Sequence, residues 1–221
     1  MSLSNRRILV TGANGFIGQN LVVRLREFEG VSVLTFVRGD DVATLSELLS
    51  QADAVVHLAG ENRPADPAAF SEVNTGLTQI LCDAIRNEHA ASGRRITLLL
   101  ASSTQADQDN PYGRSKLAAE KAVEKLAADI GNVVCVFRLP GVFGKWCKPS
   151  YNSVVATFCH NLARGLPIKI HDPSAVLRLV YIDDVVSTII QVLAKPKNRF
   201  SFERVEPEYS LSLGQLADQI R

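Results

Sequence analysis

Arg7-Ile8-Leu9-Val10-Thr11 runs directly into Gly12-Ala13-Asn14-Gly15-Phe16-Ile17-Gly18, and this stretch decides the fold. Its first five residues read as a short apolar strand. After the glycines, Phe16, Ile17, Leu21, Val22, Leu25 and Phe28 recur at helical spacing. Strand, glycine turn and helix in that order build a cradle for a pyrophosphate. Gly12 permits the tight turn, Gly15 lets the backbone approach the ligand, and Gly18 lets the helix pack close on the sheet. The helix N-terminus adds free N–H groups and the positive end of its dipole. Glycines also suit a plain strand–helix turn. The apolar strand before and the amphipathic helix after make dinucleotide binding the better reading, with Gly12, Asn14, Gly15, Phe16 and Ile17 at the cofactor.

Outward from this turn, strand and helix patterns alternate. Apolar runs at 31–37, 54–58, 96–101 and 133–139 are β-branched or Leu-rich, as in strands covered on both faces. Helical patterns fall between them at 41–50, 68–88 and 112–130. Repeated β-α units predict an α/β fold, a Rossmann-type doubly wound parallel sheet. After residue 143 the pattern changes. A helix over 152–164 precedes short strands at 168–170 and 177–182. A helix capped by the Asp183 side chain follows, then a strand at 199–205 and a helix from Leu213. The expected organisation is a nucleotide-binding lobe over 1–143 and a small, partly interleaved substrate-side lobe over 144–221, with a cleft between them.

The second strand bears on the cofactor. NAD sites place Asp or Glu at its end, accepting from the ribose 2′-OH. Thr35-Phe36-Val37-Arg38 has no carboxylate there, and Asp40 and Asp41 come late, where the next helix begins. The Arg38 guanidinium can pair a 2′-phosphate bidentately, which favours NADPH over NADH. A solvated loop charge is the plain alternative.

Composition narrows the partners. With 24 basic and 23 acidic side chains in 221 residues, no basic field exists to hold nucleic acid. No apolar run reaches the roughly 20 residues of a membrane span. Cys82, Cys135, Cys147 and Cys159 form no C-x-x-C pair and match no zinc spacing, so reduced thiols in the cytoplasm and no metal are expected.

Asn110-Pro111-Tyr112-Gly113-Arg114-Ser115-Lys116 opens the helix over 112–130. Tyr112 and Lys116 share a helix face. A nearby ammonium is expected to lower the phenol pKa from its usual value of about 10, making a proton donor usable near neutrality. Ser102-Ser103-Thr104 ends the fourth strand, on the sheet edge where ligands of open α/β folds bind, and a hydroxyl there can hold a substrate carbonyl beside Tyr112. A Tyr and a Lys on a surface helix are common, but not behind a phosphate turn and a hydroxyl-bearing strand end.

These residues, with His57-Leu58-Ala59-Gly60, Asn74, the stretch 138–144 and Tyr181-Ile182-Asp183-Asp184-Val185, make the chain resemble the extended short-chain dehydrogenase/reductases. The resemblance implies Tyr112 as general acid, Lys116 on the nicotinamide ribose and Ser103 polarising the carbonyl, with Thr104 the fallback. It places Leu58, Ala59 and Gly60 along the adenosine and pyrophosphate side and Pro140 near the nicotinamide. Residues 144–162 and Asn110 to Gly113 further resemble bifunctional capsule and O-antigen polysaccharide enzymes: dimeric, with an N-terminal reductase domain and a C-terminal cupin domain. The implied reaction is NADPH-dependent reduction of the C4 ketone of a UDP-4-keto-6-deoxy-N-acetylhexosamine. Its product is a UDP-2-acetamido-2,6-dideoxy-L-talose.

The chain departs from that pattern in places. Gly141 stands where relatives have an Asn that holds UDP, and Leu177 where they have an Arg. Arg178 follows, and a one-residue slip in a strand turns a side chain to the opposite face. Lys145 and Lys148 therefore join Arg178 as candidates for the UDP phosphates. Sugar 4,6-dehydratases carry Asp-Glu where this chain has Gln105-Ala106, which disfavours dehydration. An epimerase would keep NAD bound, and a non-catalytic NADP sensor would lack the Tyr or the Lys. The helix begun at Leu213 runs to Arg221, so the chain is expected to be part of a longer protein that carries the cupin domain.

Overall fold

The apolar run Arg7–Thr11 forms β1, flanked by β2 (Ser32–Phe36) and β3 (Ala54–His57) in one parallel sheet. With β4 (Thr97–Ser103), β5 (Val134–Leu139) and β8 (Phe200–Glu203), the sheet order is β2-β1-β3-β4-β5-β8, every pair parallel. The strand order reverses between β1 and β3. That is the switch point outside whose carboxyl ends ligands of open α/β sheets sit. The computed structural model describes residues 3–62, 66, 70–196 and 199–221.

Alternation along the strands feeds two cores. Ile8 and Val10 face α1 (Phe16–Arg26) and α6 (Ile182–Ala194), packing with Leu21, Leu25, Val185 and Ile189. Leu9 and Val55 face α2 (Thr44–Gln51), α3 (Leu77–Ser92) and α4 (Pro111–Ile130), packing with Leu49, Ile85 and Val123. Both faces are covered, so the middles of the inner strands are apolar, while Thr11, His57, Ser102, Ser103 and Arg138 fall toward their carboxyl ends. The edge strand β2 is more open, with Ser32 and Thr35 exposed and Val33 and Leu34 half-buried.

A second sheet, β6-β7-β9, stands over the cleft end. It comprises β6 (Gly141–Phe143), β7 (Val176–Tyr181) and β9 (Glu208–Ser212). With α5 (Val154–Leu162) and α7 (Leu213–Ile220) it closes a small core around Phe158, Leu216 and Ala217. The latter part of the chain also returns to the main sheet, since β8 pairs with β5 and α6 packs on the first core.

Several local expectations fail. Residues 168–170 form no strand, although Ile168 and Ile170 do pack on the small core. Strands β6 and β9 are too short and too mixed in composition to be read from pattern alone. Tyr181, not Asp183, occupies the N-cap of α6. The helix begins one residue earlier, and Asp183 and Asp184 sit in its first turn, where a negative charge favours the dipole. The expected helix over 68–88 starts outside the described residues. Phe70–Gly76 is π-helical, and α3 runs on to Ser92.

Candidate active site

The carboxyl ends of the parallel strands open onto a cleft of about 550 Å³. At one end lies the phosphate turn. Gly12 has φ +69, and a Cβ there would lie 2.6 Å from the Ala59 backbone nitrogen. A Cβ on Gly18 would lie 2.3 Å from the Gly12 carbonyl oxygen, so only glycine lets α1 approach this closely. The N-cap of α1 is Gly15, with no side-chain cap and no acidic residue in the first turn. The first N–H groups of the helix therefore face the cleft without a side-chain acceptor or a repelling carboxylate. That donor set fits a dinucleotide diphosphate.

Of the residues expected at the cofactor, Gly12, Gly15, Phe16, Ile17, Leu58, Gly60 and Pro140 line the cleft. Asn14 does not. It is exposed, and its carbonyl accepts from the Gln19 side chain. Ala59 lies behind the wall, its N–H donating to Thr11 Oγ1 at 3.3 Å, and it shapes the turn instead of lining the cleft. His57 ties this region together through Thr11 Oγ1 (2.6 Å) and Thr78 Oγ1 (3.0 Å). Burial, with Lys116 adding to it, depresses the His57 pKa to about 3, so the ring is neutral and structural.

The catalytic candidates come from β4 and α4. Asn110 caps α4 by accepting the Gly113 N–H at 2.8 Å, and Pro111 fills the first turn. A Cβ on Gly113 would meet the Gln105 and Gln108 carbonyl oxygens at 2.3 and 2.4 Å. This glycine seats the helix start on the 3-10 turn Thr104–Asp107, which brings Tyr112 beside Ser103 and Thr104 on the cleft wall. Ser103 Oγ accepts the Gln105 N–H at 3.1 Å, and its own proton is turned to the Tyr112 hydroxyl. The Ser102 hydroxyl is committed elsewhere, to Glu120 Oε1 at 2.5 Å.

Tyr112 Oη donates to Asn62 Oδ1 at 3.0 Å. Lys116 Nζ sits 5.8 Å from the Tyr112 ring centroid and donates to the Ala101 carbonyl at 3.2 Å. The expected lowering of the phenol pKa does not occur. Burial raises it, with the hydrogen bond from Ser103 pulling the other way, and the ammonium 5.8 Å from the ring centroid does not offset the burial. A neutral phenol is the form a proton donor needs. Burial also lowers the Lys116 pKa to about 8, against the pull of Glu120.

Glu120 lies one turn beyond Lys116 and is 3% exposed. It accepts Arg138 Nε at 3.0 Å and Nη2 at 2.7 Å, while Arg138 Nη1 forks onto Asp107 at 2.8 Å. This network locks α4 to β5 and to the turn behind Ser103. Sequence reading missed it, although the i,i+4 spacing from Lys116 to Glu120 was available as a signal.

The cationic candidates do not converge on the cleft. Arg38 is largely exposed, with Nη2 2.5 Å from Glu61 Oε2. Lys145 pairs with Asp183 at 2.8 Å, which raises its pKa, and Lys148 lies exposed outside the lining. Arg178 is held by Glu208 on the neighbouring strand, and Leu177 packs on the small core. Of the expected substrate contacts, Thr104 alone lines the cleft. Lining residues that sequence reading missed include Asn62, Gln105, Val142, Tyr151 and Asn152. Tyr151 reaches across to Glu61 Oε1 at 3.4 Å. Asp40 turns back to the Val37 N–H at 2.7 Å, so it is spent on the loop.

The profile of the NAD dependent epimerase/dehydratase family matches residues 8–206. A UDP-2-acetamido-2,6-beta-L-arabino-hexul-4-ose reductase of Pseudomonas aeruginosa is 51% identical over 215 residues, covering 97% of this chain and 56% of that protein. Among solved structures, the capsular polysaccharide assembling protein CapF from Staphylococcus aureus superposes with a TM-score of 0.80 at 35% identity. That match covers 97% of this chain and 56% of CapF. The Bordetella bronchiseptica enzyme WbmF in complex with NADH shares the fold, with a TM-score of 0.81 at 22% identity over 99% of this chain and 76% of its own. The chain thus spans about half the length of the first two relatives.

Proposed function

This chain belongs to the NAD dependent epimerase/dehydratase family, and from that premise we propose that it is a nucleotide-sugar ketoreductase. Its substrate is a UDP-4-keto-6-deoxy-N-acetylhexosamine, reduced at C4 by NADPH to a UDP-2-acetamido-2,6-dideoxy-L-talose-type product for capsule or O-antigen polysaccharide. The observation that carries this reading is the placement of Tyr112, Ser103 and Lys116 on the same cleft as the uncapped N-terminus of α1.

Held by the turn of Gly12 and Gly15, NADPH would supply the hydride for the carbonyl carbon. The Ser103 hydroxyl, its oxygen fixed by the Gln105 N–H, can turn its proton from Tyr112 to the carbonyl oxygen. Tyr112, kept neutral by burial, gives that oxygen its proton as negative charge develops there. Lys116, protonated at neutral pH on the same cleft wall, would hold the nicotinamide ribose. Among the described residues, no carboxylate lines the cleft, and Gln105 with buried Ala106 stands where an elimination would need acids. Reduction needs one proton donor and no such pair.

Arg38 supports NADPH by position. The β1–β2 register sets Thr11 beside Phe36, two residues before Arg38, and Asp40 accepts the Val37 N–H. A 2′-phosphate would take Arg38 from Glu61. The reading extends to a cytoplasmic homodimer whose full chain carries a C-terminal cupin domain; the 56% of each relative's length that this chain covers bears on the longer chain alone. The direct test mixes protein, NADPH and the 4-keto sugar nucleotide and follows loss of the reduced-nicotinamide absorbance. Consumption is expected. Normal NADPH binding with no consumption overturns the reductase reading.

A further inference from the structure

Tyr112 has one hydroxyl proton, and it is donated to the carboxamide oxygen of Asn62 at 3.0 Å. To act on a ketone, Tyr112 must give up that bond. The backbone on the N-terminal side of Asn62 is held in place. The residue before it, Glu61, is clamped by Asn74, whose Oδ1 accepts the Glu61 N–H at 2.7 Å and whose Nδ2 donates to the Glu61 carbonyl at 3.1 Å. Asn74 is 2% exposed and also donates to Ser115 Oγ at 3.0 Å, and Ser115 donates to the Tyr112 carbonyl at 2.7 Å. The Asn62 backbone is thereby tied to the helix that carries Tyr112. A ketone oxygen arriving at Tyr112 takes the place of the Asn62 oxygen, and the displaced carboxamide stays next to it.

A carboxamide there presents both an acceptor and two donors. In the proposed substrate, the ketone at C4 is flanked by C5, which carries a methyl group and the ring oxygen, and by C3, which bears a hydroxyl. Of these groups the hydroxyl alone can both donate to a carboxamide and accept from it. Resting on the reductase reading, we propose that Asn62 recognises the hydroxyl vicinal to the reacting carbonyl, so that the site selects α-hydroxy ketones. Asn62 has a different partner in each state: the Tyr112 proton when the site is free, and the substrate hydroxyl when the ketone has replaced it.

The test measures kcat/KM of the full chain and of Asn62→Ala with two ketones, the UDP-4-keto-6-deoxy-N-acetylhexosamine and its 3-deoxy analogue. Losing one exchanged hydrogen bond is expected to cost roughly tenfold. The variant should fall roughly tenfold on the hydroxylated ketone and hold steady or rise on the 3-deoxy ketone, because Tyr112 no longer has a competing acceptor. An equal loss on both ketones, as a structural role would give, overturns the assignment, and so does no loss on either. If the native chain turns over neither ketone while binding NADPH, the reductase reading falls, and the assignment of Asn62 falls with it.

Discussion

Lys116→Met separates the catalytic use of a buried cation from its cost to the fold. Lys116 is 9% exposed, and burial is the chief cause that brings its pKa from 10.5 to about 8. At about 1.4 kcal/mol per pH unit, that drop corresponds to roughly 3 kcal/mol by which the folded state disfavours the ammonium. Methionine keeps the length and removes the charge. It also removes the bond to the Ala101 carbonyl, which offsets about 1 kcal/mol. The variant should therefore be more stable by roughly 2 kcal/mol at neutral pH, or about 4 to 8 °C in Tm for a chain of this size. Between pH 8 and 10.5 the unfolded native chain holds a proton that the folded chain has shed, so native stability rises with pH across that window. The advantage of the variant is full below pH 8 and fades above it. Urea unfolding of both proteins at about pH 7 and about pH 10 measures this. Turnover should be lost at both. A Lys116→Met protein less stable than native at neutral pH, or a difference that ignores pH, would refute the reasoning.

Three further outcomes follow from the site. Gly113→Ala places a Cβ against the Gln105 and Gln108 carbonyls, so the start of α4 must shift. The fold should lose about 1 to 3 kcal/mol, and kcat should fall by up to about a hundredfold as Tyr112 moves off its wall, read by thermal melts and steady-state kinetics. Glu120→Gln removes the carboxylate that holds the Lys116 pKa up. The alkaline limb of the kcat/KM–pH profile should move to lower pH, and an unmoved limb would sever the link between Glu120 and Lys116. Arg38→Ser should weaken NADPH binding roughly tenfold and leave NADH unchanged in calorimetric titrations, since only the 2′-phosphate distinguishes the two.

Much of the fold was legible because its signals are local. The apolar runs at β1, β3, β4 and β5 each declare a strand by themselves, and a glycine needed for φ +69 at position 12 is a requirement of a single residue. Tyr112 and Lys116 were legible for the same reason, since four residues apart on a helix is one face. Strands β6 and β9 were not. Three and five residues of mixed character become strands only because β7 lies between them to pair with.

The sequence by itself determined the doubly wound sheet, the phosphate turn and the pairing of a phenol with an ammonium. Only the tertiary structure decided which charges are available. Arg38, Lys145 and Arg178 each read as free cations in the chain, and each is held by a carboxylate 23, 38 and 30 residues away. Tertiary structure also set Asn62 against the hydroxyl of Tyr112, 50 residues on, and raised a phenol pKa that helix spacing alone predicted to fall. Whether a residue can adopt a backbone shape is settled within a few bonds. Whether its charge or proton is free depends on partners and burial that distant segments bring only when the chain folds.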